Sequence, residues 1–133
     1  MLACVGLLAL GGCGGNSTSP AGVRVVRIGE RDFHITAPRH LPPGRVRLEV
    51  ANNGPDLHEL IVVREPSTPL PMRADGVTVD EDALEPVKLG SLEPGTPGSV
   101  RALTLRLRPG RYEIFCNMAG HYMGGMHAVL VVG

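Results

Sequence analysis

Tyr112-Glu113-Ile114-Phe115-Cys116-Asn117-Met118-Ala119-Gly120-His121-Tyr122-Met123-Gly124-Gly125-Met126-His127-Ala128-Val129-Leu130 is the stretch from which the rest of the chain is best read. An alternating apolar run ends in a thiol, a glycine-rich loop follows, and a second apolar run closes the segment. Short apolar runs bounded by glycine read as strands, so the segment predicts two neighbouring strands with a loop hanging between them. Within that loop Cys116, His121 and Met126 stand five positions apart in turn. Gly120, Gly124 and Gly125 free the backbone to curl, which lets the three side chains turn toward one centre.

Outward from this loop the chain reads as more strands. Residues 99–107 form an apolar run, and Arg108-Pro109-Gly110-Arg111 is a turn by its residue types. Near the other end, residues 23–28 predict a strand closed by Gly29, residues 33–36 a short second one, and Leu41-Pro42-Pro43-Gly44 a turn. Residues 45–50 alternate strictly, with Val46, Leu48 and Val50 toward a core and the charges toward water. Asn52-Asn53-Gly54-Pro55-Asp56 ends that strand, and residues 57–63 begin the next, leaving His58 at a loop-to-strand junction. Residues 128–132 predict a last strand buried on both faces.

From residue 64 to residue 98 the pattern weakens. Pro66, Pro69, Pro71, Pro86, Pro94 and Pro97 forbid a continuous central strand there. Asp80-Glu81-Asp82-Ala83-Leu84 fits one helical turn with acids at its start. This irregular excursion is expected to wrap one side of the domain. Seven to eight short strands with such turns make the fold class all-β, a two-sheet sandwich.

Composition agrees. A chain of 133 residues fits one domain with a single core, and 18 Gly, 12 Pro and no Trp favour strands and turns over a helical bundle. Thirteen basic residues balance thirteen acidic ones, so no electrostatic footprint for nucleic acid is present. Residues 1–12 are apolar and too short to span a bilayer, as in a secretory signal. Leu10-Gly11-Gly12-Cys13 resembles a bacterial lipobox, with Cys13 as the lipidation site, although no Lys or Arg precedes the apolar run. Residues 13–22 then form a flexible tether, and residues 23–133 the folded domain. The expected location is extracytoplasmic, on a membrane by lipid anchor only.

Cys116 is the lone thiol of that domain, and an oxidising compartment would pair or damage it unless something protects it. A metal does so. Thiolate, two imidazoles and a long, weak thioether are the donors of a type 1 copper site, with His58 as the second imidazole and Met126 as the axial group. Met123 competes with Met126 as a spare thioether. His127 is expected to point away from the metal, and His34 and His40 to lie on the surface. Zinc is the rival metal, but structural zinc sites usually draw on paired cysteines. A cysteine nucleophile with a histidine base is also conceivable, though no Asn or Asp stands at an obvious orienting position.

Asn53-Gly54-Pro55-Asp56-Leu57-His58-Glu59-Leu60 and the Cys116-to-Met126 loop resemble the two ligand segments of the cupredoxins, the small blue copper proteins. The four-residue gaps on both sides of His121 are closer to the rusticyanin and sulfocyanin branch than to plastocyanin. The resemblance covers residues 23–133. It implies a Greek-key β-sandwich and one copper ion held by His58, Cys116, His121 and Met126. It further implies that the Glu59 amide lies near the cysteine sulfur and that Asn53 braces the ligand loops. Many relatives carry Asn or Ser where this chain has Glu59. Asn117 stands where a multicopper oxidase has histidine, against an oxidase. The expected function is therefore single-electron transfer between protein redox partners by a monomeric carrier, not an enzyme. Storage or delivery of Cu(I) is the alternative, since Met118, Met123 and Met126 suit that ion.

Overall fold

The structure is a computed structural model and describes residues 22–64 and 69–133. The expected leader, the lipidation site Cys13 and all of the tether but its last residue lie outside the described residues.

Nine strands occur among the described residues: β1 (Arg24–Arg31), β2 (His34–Thr36), β3 (His40–Leu41), β4 (Gly44–Asn52), β5 (His58–Arg64), β6 (Lys88–Gly95), β7 (Val100–Leu107), β8 (Gly110–Phe115) and β9 (His127–Val132). They form two sheets, one ordered β2-β1-β4-β7 and the other β3-β9-β8-β5-β6. The architecture is the expected all-β Greek-key sandwich. β1 runs parallel to β4, and β8 is antiparallel to both β5 and β9. The two strands that flank the glycine-rich loop are therefore neighbours, as their pattern predicts.

The core follows from the period-2 alternation. Val46, Leu48 and Val50 of β4 meet Leu60, Val62, Ile114 and Leu130 of the facing sheet, and all seven are buried. Each such side chain contributes about 1.5–3 kcal/mol when withdrawn from water. The Tyr112 hydroxyl bonds back to the backbone of Arg108, donating to its carbonyl at 2.8 Å. That contact sets the corner from which β8 runs toward Cys116.

The excursion does wrap one side. Its helical turn α1 (Glu81–Leu84) is capped by Asp80, whose side chain accepts from the Ala83 N–H. Leu70, Val79 and Leu84 then pack with Ile61, Val63, Phe115 and Tyr122 into a second core on the outer face of the sheet. This is why Leu60-Ile61-Val62-Val63 is apolar without alternation: β5 is covered on both faces.

Three expectations need correction. The excursion contains a strand, β6, that its two glycines and Pro94 conceal. It pairs with β5 alone, at the sheet edge and through register shifts, where a missing N–H is tolerated. β1 does not stop at Gly29 but continues to Arg31, because residues 29–31 pair with β2. β9 is not buried on both faces: Leu130 and Val132 are buried, while Val129 and Val131 are only half-buried. The segment that covers β5 does not extend as a core over β9.

At one end Arg101 links the two sheets. Its guanidinium bonds to the carboxylate of Glu30 on β1 and to the Glu93 carbonyl on β6. Burial pushes the Glu30 carboxyl up to about 7 although Arg101 pulls the other way.

Candidate metal centre

His58 opens β5, and Cys116 directly follows β8 in the same sheet. The register sets Ile61 opposite Phe115, so both residues lie at one end of the sandwich. The loop after Cys116 then folds back on itself. The Cys116 N–H donates to the Met126 carbonyl, the His121 N–H to Met118, the Met126 N–H to His121 and the Gly124 N–H to Gly120, at 2.9–3.1 Å. Gly120 and Gly125 adopt φ of 81° and 104°, in the region where side chains are strained.

Three donor atoms converge as a result. Nδ1 of His58 lies 3.3 Å from Nδ1 of His121, and the Cys116 sulfur lies 4.0 Å from the first and 3.5 Å from the second. A point equidistant from all three is about 2 Å from each, the length of metal–nitrogen and metal–sulfur bonds. The group is able to hold a metal ion. Met126 is fully buried in the same core cluster as Cys116. The donor set, two of its three convergent members buried, fits a soft transition metal.

Burial sets the protonation of the donors in the metal-free protein. Burial pushes the Cys116 thiol up to about 11, opposed by hydrogen bonds from the backbone of Met118 and Glu59 to the sulfur. Without a cation the thiolate is disfavoured, so metal uptake must displace a proton. Burial also lowers His58 against the opposing pull of Asp32, which favours the neutral imidazole that a metal requires.

The surroundings divide between what was foreseen and what was not. The Glu59 amide does reach the sulfur, and its carboxylate accepts from the Asn117 N–H, joining the two ligand segments. Burial and the nearby Glu81 raise that carboxyl. Asn53 is exposed and its side chain reaches only the Ala51 carbonyl, at 3.5 Å. Asn52 does the bracing, donating to the carbonyls of Asp56 and Gly95 and accepting from the Gly54 N–H. A buried side chain on an alternating strand was the signal for it. Asn117 binds the loop to the excursion, accepting from the Val79 N–H at 2.6 Å and donating to the Val79 carbonyl. Tyr122 is buried against Phe115. Met123 is 62% exposed, outside the pocket, and His127 pairs with Glu113 instead of the donors.

Solved structures share this architecture. Auracyanin B aligns at 25% identity with a TM-score of 0.61, over 88% of this chain and 92% of its own. The chain has the cupredoxin fold. Auracyanin A, a "blue" copper protein from the green thermophilic photosynthetic bacterium Chloroflexus aurantiacus, aligns at 18% identity and a TM-score of 0.65, over 84% of this chain and all of itself (100%). Rusticyanin from Thiobacillus ferrooxidans aligns at 15% and 0.65, over 92% and 86%. No family model and no curated protein matches the sequence.

Proposed function

We propose that this cupredoxin is an extracytoplasmic electron carrier with one type 1 copper ion held by His58, Cys116, His121 and Met126. The observation that carries the reading is the convergence of two imidazole nitrogens and one sulfur on a point at bonding distance from all three. A copper ion there supplies a one-electron couple, and a rigid mixed donor set suits both of its oxidation states. The protein's residues do the rest. Cys116 and His58 are fully buried and keep water out, while His121 is half-buried and gives the only ligand edge that reaches the surface. Exposed Phe33, with the small residues Gly124 and Gly125 against it, borders that edge as an apolar rim where a protein redox partner could approach.

Four protein donors would leave no open position for a substrate, which supports relay over catalysis. A buried thiolate pocket also retains its ion, which disfavours delivery of Cu(I). The lipobox-like sequence at Cys13 supports attachment to the outer side of a membrane. No helix among the described residues is long and apolar enough to cross one. The test is the spectrum of the purified, copper-loaded chain. Intense visible absorption with a small copper hyperfine splitting in electron paramagnetic resonance is expected. A colourless form that yields its copper to a mild chelator would overturn the reading in favour of delivery.

A further inference from the structure

β1 and β2 are joined by a two-residue tip, since Arg31 pairs with His34 and only Asp32 and Phe33 lie between them. This tip rests on the metal centre. Oδ1 of Asp32 lies 3.0 Å from Nε2 of His58, the ring nitrogen that faces away from the other donors. The ring of Phe33 stands edge-on to His121 with centroids 5.5 Å apart. Adjacent residues of one hairpin thus touch one imidazole each.

Two further features make the contact specific. Phe33 has a φ of 58°, uncommon for any residue but glycine, and such outliers persist where surrounding contacts hold them. Both landing places are glycines. A Cβ on Gly54 would come within 2.9 Å of Asp32 Oδ1 and of His58 Nε2, and one on Gly124 would overlap the Phe33 ring. The glycines make room for the tip.

We propose that Asp32 is a positioning residue for the metal centre. It accepts the Nε2–H of His58 and so locks the tautomer whose Nδ1 lone pair faces the ion. It also sets a negative charge beside that ligand, which favours the more positive, oxidised ion and lowers the reduction potential. Phe33, seated on Gly124, keeps the tip in place. A hydrogen-bonded carboxylate of this kind orients a ligating histidine and raises its basicity. The proposal rests on the copper reading only for its effect on potential, since the tautomer lock belongs to the metal-free protein as well.

The test uses the full chain in both states. In the metal-free protein, nitrogen NMR should show His58 as a single Nε2–H tautomer with a slowly exchanging proton, and Asp32→Ala should give a tautomer mixture. Copper-loaded Asp32→Asn keeps an acceptor but loses the charge. It should be about tenfold more reduced at a fixed ambient potential, equal to about 59 mV for one electron. Gly54→Ala, whose Cβ would meet both Asp32 Oδ1 and His58 Nε2 at 2.9 Å and so wedge the pair apart, should shift the potential in the same direction. Affinity for copper should fall about 10- to 100-fold in Asp32→Ala. A wild-type protein with His58 in the other tautomer, or with both populated, overturns the proposal, as does an unchanged potential in both Asp32→Asn and Gly54→Ala. Should the wild type form no blue site, the copper reading fails on its own, and the metal-free NMR still decides the tautomer lock. If Asp32→Ala does not fold, the wild-type tautomer decides that part and Asp32→Asn the effect of charge.

Discussion

The two histidines of the metal centre carry the same side chain into opposite settings. His58 opens a central strand, is fully buried, and is hydrogen-bonded behind by Asp32. His121 sits on a loop, half-buried, with an exposed phenylalanine against its ring. One imidazole is built to stay, the other to be reached. A redox site needs both: a fixed ligand set keeps reorganisation small, and an accessible edge lets an electron pass without the ion being exposed.

That contrast can be broken at several points. Cys116→Ser removes the donor that both histidines share, and all intense visible absorption should disappear; retained colour would refute the thiolate role. Next in size is the difference between His121→Gly and His58→Gly. Added imidazole should restore the blue spectrum of the first, because its position opens to solvent. The second, sealed, should recover little. Equal rescue would erase the distinction between a buried and a reachable ligand.

A smaller effect separates the supports beneath them. Leu84 is buried in the outer core that includes Phe115 and Tyr122, on the side of the His121 loop. Leu84→Ala should cost about 2–5 kcal/mol in chemical denaturation. It should perturb the NMR signals of His121 more than those of His58. Met126→Leu should leave a blue protein with a raised potential, whereas Met123→Leu, at a position 62% exposed, should not change it. The reverse result would move the axial role to Met123.

The least effect concerns pH in the metal-free protein. His58 is held below its unfolded pKa of 6.5, so the folded state binds fewer protons than the unfolded one. Its contribution to stability is therefore present above pH 6.5 and declines as pH falls through that value. Glu30 acts in the opposite sense: its carboxyl is pushed up to about 7, and stability declines as pH rises from about 4.5 toward 7. Denaturation midpoints of His58→Gly and Glu30→Gln across pH 4–8 should each lose one of these slopes.

The ligands were legible for a chemical reason. A thiol, an imidazole and a thioether spaced along one glycine-rich loop are an unusual set, and donor type marks function wherever the chain goes. His58 could be added because its junction had to fall at a sheet end. Strand β6 was not legible, because an edge strand with two glycines and a proline has no alternation to detect. Asn52 continues the inward series Val46, Leu48 and Val50, so its facing was legible, whereas the family resemblance pointed to its neighbour Asn53.

Residue order was enough for the sandwich, the loop and the four candidate ligands, because period-2 burial and donor chemistry act locally or leave their mark in residue type. Packing alone decided that Asp32, 26 positions before His58, would stand behind it. The same holds for Phe33 against His121, and for a proline-rich excursion that forms a second core under the ligand loop. Those contacts depend on how two sheets and a hairpin dock, and on glycines whose missing side chains leave space that no sequence pattern records.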